Sequence, residues 1–153
     1  MSLQFAKNMT QAAQIASLFC FAAGVSGIAS AEPKSLTIYN DAAGDAYLRF
    51  EQADGIGNKI LWRSDMQTEA GDVIGTGSGH CTQLDADQNY FCSFVIDLDD
   101  RGIIAGQGVR RTEPMPSSFP IIGGSGEFEG VTGTMISRPV EDRARFVYEI
   151  EYQ

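Results

Sequence analysis

Beyond Pro33 the apolar residues recur at every second position in short runs, and no window of a dozen residues repeats with helical spacing. The clearest run is Tyr90 to Leu98, where Cys92, Phe94, Ile96 and Leu98 fall on one face. The last run does the same with Phe146, Tyr148, Ile150 and Tyr152, set against Arg145, Glu149 and Glu151. Successive strand residues point to opposite faces, so both apolar rows are expected to be interior. Applied along the chain, this reading predicts strands at 35–40, 47–50, 59–64, 72–84, 90–98, 103–110, 131–138 and 143–152. Turn residues fill the gaps, as in Ala42-Ala43-Gly44, Ala53-Asp54-Gly55, Glu69-Ala70-Gly71 and Asp99-Asp100-Arg101-Gly102. Eight short strands at this spacing make an all-β domain, a barrel or a sandwich.

One strand departs from the alternation of apolar and polar residues. The face it shares with Cys81 reads Val73, Gly75, Gly77, Gly79. Glycines opposite bulky neighbours signal close packing, a bend at a barrel corner, or room for a ligand, with packing and bending the commoner reasons.

The first residues follow another pattern. Lys7 precedes an almost uncharged apolar stretch from Ala12 to Ile28, and Ala29-Ser30-Ala31 follows. That is the order of a secretory signal with cleavage after Ala31. A retained membrane anchor needs about 20 strongly apolar residues, whereas Gln14, Ser17, Gly24, Ser26 and Gly27 dilute this stretch. The expected organisation is a signal peptide over 1–31 and one domain over 32–153, long enough for a single core. A secreted or periplasmic location follows, with no membrane contact after cleavage.

Cleavage leaves Cys81 and Cys92 as the only cysteines. A hairpin turning at Ala86-Asp87 sets them directly opposite, close enough for a disulfide in an oxidising compartment. Two buried thiols are the plainer alternative. The formal charge is −9 for the whole chain and becomes more negative once Lys7 is removed. Such a surface repels phosphate backbones, so nucleic acid is not an expected partner.

The glycines of Gly71-Asp72-Val73-Ile74-Gly75-Thr76-Gly77-Ser78-Gly79 and of Ile121-Ile122-Gly123-Gly124-Ser125-Gly126-Glu127-Phe128-Glu129-Gly130 carry a family resemblance. The second segment resembles the signature of dirigent proteins and allene oxide cyclase-like barrels: an apolar pair, then Gly-Gly-Thr-Gly, an aromatic two residues on, and a further glycine. Ser125 stands where threonine is usual. Glycines here allow positive φ and close backbone approach, so Gly123-Gly124-Ser125-Gly126 is read as a structural turn. The resemblance covers about residues 72–138. It implies an eight-stranded antiparallel closed barrel with an apolar cavity, often a trimer, that handles a small hydrophobic molecule without a cofactor. None of the family's catalytic residues can be placed on this chain by motif.

Other chemistry is thinly supported by the residues. His80 is the only histidine, which excludes a multi-histidine metal site. Ser78 and His80 lack the Gly-x-Ser-x-Gly elbow of a hydrolase. Asp97, Asp99 and Asp100 are better read as a turn than as a calcium cluster. Arg110, Arg111 and Glu113 lead into Pro114-Met115-Pro116-Ser117-Ser118-Phe119-Pro120, either a lid over one barrel mouth or a loosely packed surface loop. Tyr39, Phe94, Tyr148 and Tyr152 are candidate cavity residues, or simply core. The expected function is an isomerase-like, cyclase-like or stereochemistry-directing barrel. The alternatives are a non-catalytic small-ligand binder and a structural barrel packed solid.

Overall fold

The computed structural model describes residues 32–41, 46–49, 54–113, 115–140 and 144–153. The signal-peptide reading of residues 1–31 lies outside the described residues. Nine strands are present: β1 (Lys34–Asp41), β2 (Ala46–Leu48), β3 (Lys59–Gln67), β4 (Val73–Gln83), β5 (Tyr90–Leu98), β6 (Gly102–Arg110), β7 (Ser117–Gly124), β8 (Gly133–Val140) and β9 (Arg145–Tyr152). They pair in the order β1-β9-β8-β7-β6-β5-β4-β3-β2, all antiparallel. Tyr39↔Gln67 and Asn40↔Met66 join β1 to β3 and close the sheet. Because β1 and β2 both pair with β3, at its opposite ends, they act as one interrupted stave. The barrel therefore has eight staves.

Both expected apolar rows face inward. Cys92, Phe94, Ile96 and Leu98 are buried, as are Tyr148, Ile150 and Tyr152, while Phe146 is half-buried against the same core. The glycines of β4 are there for packing. A β-carbon on Gly77 would collide with the thioether of Met66 and come within 3.0 Å of Trp62, and one on Gly79 would lie 2.8 Å from the Trp62 indole. On β6, Gly106 gives up its side-chain volume to the Phe94 ring in the same way. Val73 does not join this row. A bulge where Met66↔Gly75 gives way to Gln67↔Val73 turns it outward, 54 % exposed.

The largest departure from the sequence reading is β7. Residues 117–120, read above as part of a lid or loop, are strand, with Phe119 buried edge-on to Phe94 at 5.6 Å. Proline has no N–H to give a ladder. The β6–β7 register accordingly stops at Gly106↔Ile121, one residue short of Pro120, while Pro120 still pairs with Thr134 on the other side. Glycines and prolines together erase the alternation that would reveal this strand in the sequence.

Cys81 and Cys92 are paired in register on β4 and β5 and form a disulfide with Cα atoms 4.0 Å apart. The bond encloses a short hairpin, so Cys81→Ser is expected to lower stability by about 2–3 kcal/mol in chemical denaturation. Unreduced protein should show no alkylatable thiol at either position; labelling of both would contradict the pairing.

Candidate functional site

The two ends of the barrel differ. One is plugged. After Gly124 the chain makes a single 3-10 turn, Gly126–Phe128, that drops Phe128 into the lumen with no exposed surface. Phe128 meets Tyr152 edge-on at 5.4 Å, and Leu98, Ile104 and Ile150 are buried in the same core. Arg101 clasps this plug from outside, its Nε and Nη2 donating to the Glu127 carboxylate at 2.9 and 3.1 Å while its guanidinium lies 5.2 Å over the Phe128 ring. The hydrogen bond from Arg101 holds the Glu127 carboxyl below its ordinary 4.5. A depressed carboxyl contributes stability above its unfolded value and loses it as pH falls through the folded one. Wild type should therefore melt above Glu127→Gln at neutral pH, and the gap should vanish on acidification well below 4.5; a gap that persists there would refute the clasp.

The other end is hollow. A space of about 240 Å³ lies inside the staves, walled by Ile60, Trp62, Phe94, Ile96, Phe119, Met135, Phe146, Tyr148 and the Cys81–Cys92 bridge. Three polar side chains also line it: Asn40, Ser137 and Arg110. Arg110 closes β6 with its guanidinium 6.0 Å from the Tyr90 ring and 5.9 Å from the Phe146 ring, at the outer limit of cation–π contact. Among the described ion pairs none involves Arg110. Asn40 is 4 % exposed, and its Oδ1 is buried without a hydrogen-bond partner. An orphaned buried acceptor costs about 1–3 kcal/mol, so a group that reaches it gains affinity.

The sequence-based candidates separate on this geometry. Phe94 and Tyr148 line the hollow. Tyr152 does not, because its inward ring belongs to the plug. Tyr39 alternates with the inward Ile38 and Asn40 and so faces outward, where Arg145 lies 4.9 Å over its ring. Arg110 sits in the wall, whereas Arg111 and Glu113 are exposed in the β6–β7 connection. That connection is tied down by Thr112 Oγ1 donating to the Gln88 carbonyl at 2.6 Å and by Arg111 N–H donating to Ser117 Oγ. Gly123 and Gly126 have positive φ, +151° and +64°, and Ser125 is extended and exposed. Several lining residues were missed by sequence reasoning, Trp62 and Asn40 among them. Trp62, the single tryptophan, lies between Ile60 and Ser64 on one face, and Asn40 ends the inward row of Leu36 and Ile38. Extending the period-two alternation to those shorter runs would have found both.

Among the described residues no three His, Cys, Asp or Glu side chains gather as metal ligands. His80 and Ser78 are exposed on the outer face of β4, away from the hollow. Asp99 and Asp100 close the β5–β6 turn, with Asp100 at φ +58° and Arg101 N–H donating to the Leu98 carbonyl.

The described residues thus form an eight-stave antiparallel closed barrel, plugged at one end and lined mostly by apolar side chains at the other. The chain belongs to the family of allene oxide cyclase barrel-like domains, which matches residues 37–151. No curated protein matches the sequence. Among solved structures the fold is similar to a pyocyanin demethylase, at 19 % identity with a TM-score of 0.70 over 78 % of this chain and 100 % of that one. It is also similar to the pterocarpan synthase dirigent protein GePTS1, at 13 % identity and TM-score 0.67 over 79 % and 87 % of the two chains. A third likeness is to the Diels Alderase AbmU from Streptomyces koyangensis, at 18 % identity and TM-score 0.61 over 81 % and 70 %.

Proposed function

We propose that this protein is an exported barrel that takes one small hydrophobic molecule into its hollow end and acts there as an isomerase-like, cyclase-like or stereochemistry-directing protein. The observation that carries the reading is the space of about 240 Å³ walled by aromatic and aliphatic side chains, beside a guanidinium with no carboxylate partner among the described ion pairs. Apolar walls fold a flexible substrate into one reactive shape, and a positioned cation orients it or steadies charge, which is how such a pocket accelerates a unimolecular closure or fixes its stereochemistry. Dirigent and Diels–Alderase proteins on the same fold support this class of chemistry. The cation in the wall favours a chemical role over simple binding. A barrel packed solid is disfavoured by the space itself.

Export is supported by the disulfide and by the signal-like first residues. Self-association, as a trimer by family resemblance, is supported by an outward apolar stripe in which Phe91 faces Val109 across β5 and β6, with Val95 further along the same face.

Trp62 reports on the site, since it is the single tryptophan and lines the hollow. Titration with N-phenyl-1-naphthylamine should quench its emission with saturation. Ser137→Phe, which places a ring in the hollow, should abolish the quenching while the thermal melt stays cooperative. Unsaturable quenching that is equal in both proteins would defeat the reading.

A further inference from the structure

Two features of the hollow are unexplained by the fold. Arg110 carries a guanidinium in a mostly apolar wall, in a chain of net charge −9, yet none of the described ion pairs includes it. Its aromatic neighbours Tyr90 and Phe146 lie at the outer limit of cation–π contact and do not neutralise it. Asn40, paired directly with Phe146 in the β1–β9 register, keeps its Oδ1 buried and unpartnered. Each is a recognition group without a counterpart, one a charged donor and the other an acceptor. Asn40 lines the hollow, and its Oδ1 is the acceptor left for a ligand group.

We propose that the ligand is an apolar acid that also carries a hydroxyl or N–H: its carboxylate meets Arg110 and its donor meets Asn40. This rests on the reading of the hollow as a ligand site and adds the chemical class. Arginine binds a carboxylate in paired, charge-assisted hydrogen bonds. A site that leaves an acceptor unpaired discriminates strongly for the analogue bearing the matching donor. Molecules lacking both groups enter the same apolar space with lower affinity.

Three rigid probes of one shape separate these contributions by calorimetry: 2-naphthamide, 2-naphthoate and 6-hydroxy-2-naphthoate. Wild type is expected to bind the carboxylate about tenfold more tightly than the neutral amide, and the hydroxy acid about tenfold more tightly again. Arg110→Gln should erase the first ratio and keep the second, and Asn40→Leu the reverse. Asn40→Leu also removes the orphaned oxygen and should fold at least as stably as wild type, so loss of its hydroxyl preference cannot be ascribed to unfolding. Equal affinity for all three probes in wild type, or ratios unchanged in the variants, would overturn the proposed class while leaving the hollow a ligand site. If no probe binds and Trp62 is not quenched by N-phenyl-1-naphthylamine, the ligand-site reading itself fails.

Discussion

Phe128→Ala should lower the unfolding free energy by about 3–5 kcal/mol, the largest effect expected of any side-chain truncation in this barrel. Phe128 has no exposed surface, and Ile104, Ile150 and Tyr152 are themselves buried in the same core. Its ring touches Tyr152 edge-on and lies under the Arg101 guanidinium, so truncation loosens an aromatic pair and a surface clasp together. Urea denaturation is the direct measurement. Phe128→Leu, which keeps most of the volume, should cost clearly less. A loss under about 1 kcal/mol for the alanine variant would mean that the 3-10 turn is surface decoration rather than a plug.

Gly124→Val comes next, at about 3 kcal/mol. The cause is space: a β-carbon there would collide with the Ile103 carbonyl and come within 2.7 Å of the Phe128 carbonyl and 2.8 Å of its β-carbon. The positive-φ requirement in this segment falls on its neighbours Gly123 and Gly126. Ser125→Thr makes the contrasting control. Ser125 is extended, exposed and makes no capping hydrogen bond, a conformation a β-branched residue favours, so that variant should melt with wild type. Equal melting of all three proteins would show that the segment tolerates side chains and that its glycines are not structural.

The contrast between these two positions shows what could be read from the sequence. The glycine segment reads as structural, and the period-two rows of β5 and β9 show which faces are interior. The cysteine pairing followed from counting residues around Ala86-Asp87. What escaped was β7, because Pro116, Pro120 and two glycines remove the donors and side chains on which a strand pattern depends, although the ladder to β8 forms with the groups that remain. The hollow was legible only in part. Phe94 and Tyr148 were found from their rows; Tyr39 falls on the outward face by the alternation of β1, whereas the place of Tyr152 depends on where along its stave it falls, which alternation alone does not give. The bulge at Gln67 that turns Val73 outward is likewise a property of two strands in register, not of either strand by itself.

The plug at Phe128 has a kinetic meaning. Among the described residues the Phe128 end is stopped, so a molecule held in the hollow has no passage through that end. Widening the walls would alter which molecules fit, but only unstopping the Phe128 end would give the traffic a second direction.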